Sequence, residues 1–273
     1  MKMKIKIIGI LAAACWWAAC SPTENKGDSH VGVALYSFNR FPLAEGLQKV
    51  KESGARNVEF FSFHKPGGTF GEKSLGELDK AELTAVQSLV QENGLELVSM
   101  YADGHTVDEW RKLFEQGKQL GVKFLVGEPD KGLWDALDQM AAANGMKLAI
   151  HQHAKGQSQY WHPDSVLAAL EGHPNFGVCA DLGHWSRSGL DPVACLKELE
   201  GRIISVHAKD LDSFGNLEAA DIRVGTGIID YDAVFAELER QHFNGYMFVE
   251  CEHDWDNNFD DVKAAVEFLT ARE

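Results

Sequence analysis

Two histidines, His151 and His153, close an apolar run in the stretch KLAIHQHAKGQ. Alternate residues of a strand point to one face, so imidazoles two apart are presented together. Such a pair suits metal ligation, proton transfer or the polar closure of a strand, and the rest of the chain has to decide. Other apolar runs end in comparable chemistry. ADLGHW supplies Asp181 and His184, ISVHAKD supplies His207, Lys209 and Asp210, and FVECEHD supplies Glu250 and Glu252. Earlier in the chain Glu59 is expected to end the second strand, Tyr101 and His105 follow the third, and Glu128 ends the fourth. Carboxylate, imidazole and carboxylate on successive strands form a mixed N/O donor set suited to a divalent cation. Asp181, His207 and Glu250 are therefore the expected ligands. His151, on the neighbouring strand, is the expected fourth, and His153 stands nearby as a substrate contact or a structural hydrogen-bonding group.

The elements that must position these groups are regular. Eight apolar, β-branched runs (VGVALYSF, NVEFF, LELVSMY, VKFLVGE, KLAIH, FGVCA, IISVHA and YMFVE) are each followed by a segment of helical periodicity. Asp79 with Glu82 has the spacing of a capping box, and Leu83, Val86, Leu89 and Val90 mark one helical face before Gly94. Asp191-Pro192 pairs an N-cap with a proline at the first helical position, Asp230 is placed to cap YDAVFAELER, and Gly54, Gly121 and Gly145 end three helices. Eight near-equal strand–helix units predict an α/β fold, a single (β/α)8 TIM barrel over residues 31–273, ahead of a doubly wound open sheet. In such barrels the site lies at the C-terminal strand ends, and ionisable residues reach that rim from seven of the eight strands.

The N-terminus reads differently. Lys2, Lys4 and Lys6 precede the apolar run IIGILAAACWWAAC, which has the form of a secretory signal and is too short for a mature membrane span. Ala18-Ala19-Cys20 resembles a bacterial lipobox, so residues 1–19 are expected to be a signal peptide, Cys20 the lipidated first residue and 20–30 a flexible tether. Cleavage at Cys15 and a plain signal peptide are the alternatives. All of these export the protein, to the periplasm or the outer membrane, with membrane contact only through the lipid. The remaining cysteines, Cys179, Cys195 and Cys251, are odd in number and scattered, and read as buried thiols rather than a disulfide framework. A formal charge of −15 argues against nucleic acid and anionic membrane surfaces as partners. A homo-oligomer is left open.

From Val31 to Leu269 the chain resembles the xylose-isomerase-like TIM-barrel superfamily of sugar isomerases and epimerases, in its exported form. The matching stretches are ALYSF, VEFF, LAIHQH, ADLGHW, SVHAKDLD, RVGTGIIDY and FVECEHD, taken in order. The resemblance implies Mn, Co, Zn or Mg held at His151, Asp181, His207 and Glu250, with His184 and Lys209 near the substrate. One position departs from the pattern. Similar ketose epimerases have a glutamate on the fifth strand as both ligand and base, where this chain has His151. Glu128 is a candidate to replace it. FVECEHD and Glu128 are also similar to features of inosose dehydratases, and related barrels resemble lyases that open 3-keto-glycosides.

These activities share the removal of a proton beside a carbonyl to give an enediolate, with a cation polarising the carbonyl. The expected catalytic groups are Glu128 or Glu250 as base, with His184 and Lys209 as acid or oxyanion partners. Tyr36, Phe38, Trp161, Trp185 and Trp255 fall past strand ends, where aromatic rings suit a small carbohydrate. Tyr36, Glu59, His105, His153 and Trp185 are the expected substrate contacts. Gly225-Thr226-Gly227 reads as a turn before the Asp230 cap and not as a phosphate site. A metal-dependent sugar isomerase or epimerase is the first expectation. A keto-sugar lyase or dehydratase on the same metal site is the second, and a non-catalytic sugar-binding lipoprotein the third.

Overall fold

A computed structural model describes residues 29–273; the expected signal peptide, Cys20 and most of the expected tether lie outside the described residues. Eight parallel strands close into one barrel: β1 (Val31–Ala34), β2 (Asn57–Phe61), β3 (Glu96–Tyr101), β4 (Phe124–Gly127), β5 (Lys147–Ile150), β6 (Phe176–Asp181), β7 (Ile203–Ala208) and β10 (Tyr246–Val249), with β10 pairing β1 to complete the ring. Helices α1 (Leu43–Glu52), α2 (Lys80–Glu92), α3 (Val107–Leu120), α4 (Trp134–Asn144), α5 (Pro163–Leu170), α7 (Pro192–Glu198), α8 (Tyr231–Arg240) and α9 (Phe259–Thr270) alternate with the strands. A further short helix, α6 (Leu182–Arg187), opens directly from the end of β6.

The two-residue period of the strands divides the apolar side chains into two clusters. Val58, Phe60, Leu125, Leu148, Ile150, Val178, Val206 and Val249 face the helices, while Phe61, Val126, Ala149, Cys179 and Phe248 fill the barrel interior. The interior parity decides the site, because 149, 179 and 248 are each followed two residues later by a polar group: His151, Asp181 and Glu250. The helices end where short-range chemistry directs. Asp79 and Glu82 form the capping box of α2, Asp191 caps α7 with Pro192 at its first position, Asp230 caps α8, and left-handed Gly121 and Gly145 terminate α3 and α4. The first strand is shorter than its apolar run, since Leu35–Phe38 turns into a 3-10 helix. Cys179, Cys195 and Cys251 are free and buried.

One excursion departs from the alternating pattern. After β7 a small antiparallel hairpin, β8 (Asp210–Leu211) and β9 (Asp221–Ile222), rises over the rim. Arg187 of α6 donates to Ala219 O and pairs with the Asp221 carboxylate, which holds the hairpin down. The buried Asp210 carboxylate accepts N–H bonds from Leu211, Gly225, Gly227 and Ile229 at 2.8–3.1 Å. The two glycine amides are thus taken by protein, and a Cβ at Gly227 would lie 2.3 Å from Asp210 Oδ1. The Gly225–Gly227 stretch is a turn clamped from within. Asp210→Ala leaves up to four donors without their acceptor. It should cost about 2–4 kcal/mol, read as a lower urea midpoint at unchanged m-value.

Candidate active site

The C-terminal strand ends bring four ligand atoms together. One donor atom from each of His151, Asp181, His207 and Glu250 lies within 4.8 Å of the other three, and all four residues are buried. His151 Nε2 is 3.4 Å from Asp181 Oδ2, and His207 Nδ1 is 3.7 Å from the same oxygen and 2.9 Å from Glu250 Oε2. Asp181 Oδ1 is committed elsewhere, accepting the His184 N–H at 2.8 Å as the N-cap of α6.

Two observations test whether a divalent cation fits. First, His151 Nε2, His207 Nδ1 and Asp181 Oδ2 are buried without a hydrogen-bond partner among the described residues, an arrangement that is costly unless another group satisfies them. Second, the outer nitrogen of each imidazole is claimed by a carboxylate. His151 Nδ1 meets Glu128 Oε1 at 3.0 Å, and His207 Nε2 meets Glu59 Oε1 at 2.7 Å. A carboxylate only accepts, so it keeps a proton on the outer nitrogen and leaves the inner nitrogen as the one to ligate, the usual setting of a metal-binding histidine. The residues fit a divalent cation.

The surrounding charges act in the same direction. Burial opposes protonation of His151, but the Asp181 and Glu128 carboxylates outweigh it and its pKa is pushed up to about 10. Burial likewise opposes the charge on Glu250, and Lys209 and His207 outweigh that, holding its carboxyl well below the usual range. A cation entering this cluster would take over charge now carried by protons on the imidazoles. Lys209 is 1% exposed, with Nζ 3.0 Å from Glu250 Oε2 and 3.5 Å from Asp181 Oδ2, and it pairs with Glu252 as well. His184 differs: burial lowers its pKa well below the ordinary value, and neither ring nitrogen has a hydrogen-bond partner among the described residues.

A cavity of about 580 Å³ opens over the cluster. His151, His153, His184, Lys209, Glu250 and Tyr36, all singled out from the sequence, line it. Three expected substrate contacts do not. Glu59 is fully buried because β2 runs two residues further than expected; Phe61 takes the rim position and Glu59 lies a layer below, between Ser99 and His207. Trp185 faces the core, since neighbouring helical residues diverge by about 100° and His184 holds the cavity side. His105 points to solvent with its side chain 76% exposed, and Tyr101 reaches the cavity in its place.

Glu128 is also repositioned. It is engaged by His151, His153 and Ser158 and stands behind the imidazoles, outside the cavity lining, which fits an orienting group and not a base. Among the aromatics, Phe38 is buried in the core and Trp161 packs on His162 under Lys155. Glu252, named at the end of the eighth strand but given no role, also lines the site, together with Arg187, Phe61, Phe63 and the hairpin tip Leu217–Ala219, which the sequence does not single out. Only Glu252 was legible, two residues from Glu250 and so on the same face. For Glu128→Gln the expected result is a metal affinity weakened about 10–100-fold with an intact fold, measured against a chromophoric chelator. Unchanged affinity with abolished turnover would instead make Glu128 the base.

Fold and site together define a (β/α)8 barrel with a candidate divalent-metal cluster of two imidazoles and two carboxylates at its C-terminal rim. Residues 47–272 match the model of the xylose isomerase-like TIM barrel, and the chain belongs to that family. An inosose dehydratase of Clostridium beijerinckii is 26% identical over 196 residues, 65% of this chain and 64% of that protein, so the chain spans less than two thirds of this relative. The crystal structure of an uncharacterised protein from Parabacteroides distasonis superposes with a TM-score of 0.72 at 31% identity, covering 90% of this chain and all of that one. A zinc-bound IOLI protein shares the fold at 17% identity and a TM-score of 0.73, over 89% of this chain and 97% of that one.

Proposed function

We propose that the protein is a divalent-metal-dependent lyase of keto-sugars or keto-cyclitols, which removes a proton beside the carbonyl and expels the oxygen substituent on the next carbon. The observation that carries this reading is the setting of His151. Epimerisation through two faces needs an acid–base group on each side of the substrate. At the end of the fifth strand His151, where a second acid–base group would stand, has one nitrogen engaged by Glu128 and the other in the ligand cluster. His184 as base and Lys209 as acid suffice for elimination. The likeness to proteins named inosose dehydratase supports the same choice.

A cation held by His151, Asp181, His207 and Glu250 would supply Lewis acidity toward a substrate carbonyl and its neighbouring hydroxyl. His184, held neutral by burial and lining the cavity, accepts the proton. The Lys209 ammonium, held by three carboxylates, donates to the oxygen that gathers charge or departs. His153, fixed through Nδ1 by Glu128, offers its other nitrogen to a substrate hydroxyl.

Incubation of the metal-supplemented protein with keto-glycosides and keto-cyclitols in deuterated water tests the proposal. An unsaturated product is the expected result. A saturated isomer carrying solvent deuterium would move the assignment to the isomerase or epimerase reading.

A further inference from the structure

The ligands and Lys209 account for one side of the cavity, on β5, β6, β7 and β10. The other side is built differently. In the closed ring β2 and β3 stand across from β6 and β7. The chain leaving β1, β2 and β3 brings Tyr36, Phe61, Phe63 and Tyr101 to the cavity wall. Phe61 stacks on Tyr101 with centroids 5.4 Å apart and planes 14° from parallel. Phe63 meets Tyr36 and Tyr101 edge-on, each at 6.0 Å. Tyr101 in turn meets the His151 ring at 5.4 Å, so the wall begins where the ligand cluster ends.

Phe61 and Tyr101 are buried, while Phe63 keeps 44% of its surface exposed. A lone exposed phenylalanine needs no explanation, but four contiguous rings facing one cavity do. The cavity, about 580 Å³, falls within the range of about 300–1,000 Å³ that holds drug-sized ligands. A single sugar ring held at the cluster would leave the aromatic side unfilled.

We infer that the wall of Tyr36, Phe61, Phe63 and Tyr101 is a second-ring subsite and that the substrate is a glycoside. Its keto-sugar ring lies at the cluster, and the ring joined to it through the glycosidic oxygen packs against Phe63. The identity of the first ring rests on the lyase reading; the subsite does not. In the elimination the C–H bond beside the carbonyl breaks and its proton passes to the base. A carbon–carbon double bond forms as the C–O bond to the second ring breaks, and that ring leaves as an alcohol after taking a proton. Sugar rings and aryl groups both offer an apolar face to an aromatic wall.

Calorimetric titration with glycosides that lack the ketone separates binding from chemistry. Methyl β-glucoside, phenyl β-glucoside and methyl cellobioside are titrated into the metal-supplemented protein. At least one of the two extended ligands should bind about 5–10-fold tighter than methyl glucoside, and whichever does identifies the second ring as aryl or sugar. Phe63→Ala, at an exposed position, should erase that advantage and leave the melting temperature unchanged. Equal or undetectable binding of all three, or an advantage that survives Phe63→Ala, overturns the subsite. An advantage that Phe63→Ala erases, in a protein that converts no keto-glycoside, would instead remove the lyase reading and leave the subsite standing.

Discussion

Asp181→Asn should abolish metal-dependent stabilisation while leaving the barrel folded. The two oxygens of Asp181 have separate tasks. Oδ1 caps α6 through the His184 N–H, and Oδ2 is the buried, unpartnered atom shared by both imidazoles. Asparagine keeps an oxygen for the cap and replaces the ligand oxygen with a donor that cannot ligate. Metal affinity should fall by more than the 10–100-fold typical of residues that only orient a ligand, so by at least about 100-fold. In the unsubstituted protein, metal at 100 times Kd should contribute about 2.7 kcal/mol, or about 5–10 °C in melting temperature for a barrel of this size. The variant should show almost none of that shift, and its melting temperature in chelator should stay near that of the parent. Scanning calorimetry with and without metal reads both quantities. A variant that keeps the full shift would show that Asp181 is not a ligand.

Lys209→Met should have the opposite metal signature together with a large loss of turnover. The ammonium is buried among Asp181, Glu250 and Glu252, where burial works against its charge and the three carboxylates outweigh it, raising its pKa well above the ordinary value. Removing it leaves those carboxylates facing one another, which should destabilise the metal-free protein by about 3–5 kcal/mol. A cation relieves part of that repulsion, so metal should bind more tightly than in the parent. Turnover should nevertheless fall by about 10²–10³, the usual consequence of losing one donor to developing charge. Chelator competition and product formation, measured together, separate this from the loss of a ligand. Turnover within about tenfold of the parent would reduce Lys209 to a structural counter-ion.

The two variants differ because Asp181 ends β6 as a ligand, while Lys209 follows the ligand His207 of β7 by two residues on one parity as a counter-ion, an arrangement visible in SVHAKD once β7 is recognised. Interior parity likewise marks His151, Asp181 and Glu250, since an apolar run followed by a polar residue of that parity lies at the rim of a closed barrel. Depth is not legible in the same pattern. The sequence places Glu59 and Glu128 at strand ends, yet β2 continues to Phe61 and Glu128 stands behind two histidines. Strand length and side-chain layer depend on the neighbouring strands.

What the sequence determined by itself is what repeats locally: eight strand–helix units, their caps and stops, and the parity that carries two imidazoles and two carboxylates to one end. Hydrophobic periodicity and hydrogen bonding within a few residues decide such features. The roles of those groups were decided only by closure of the ring. It turned each outer imidazole nitrogen toward a particular carboxylate, put Lys209 among three acids and laid Phe61, Phe63 and Tyr101 into a wall opposite β6 and β7. Those contacts join residues far apart in the chain, and their geometry depends on how the strands are tilted and packed, which no local pattern records.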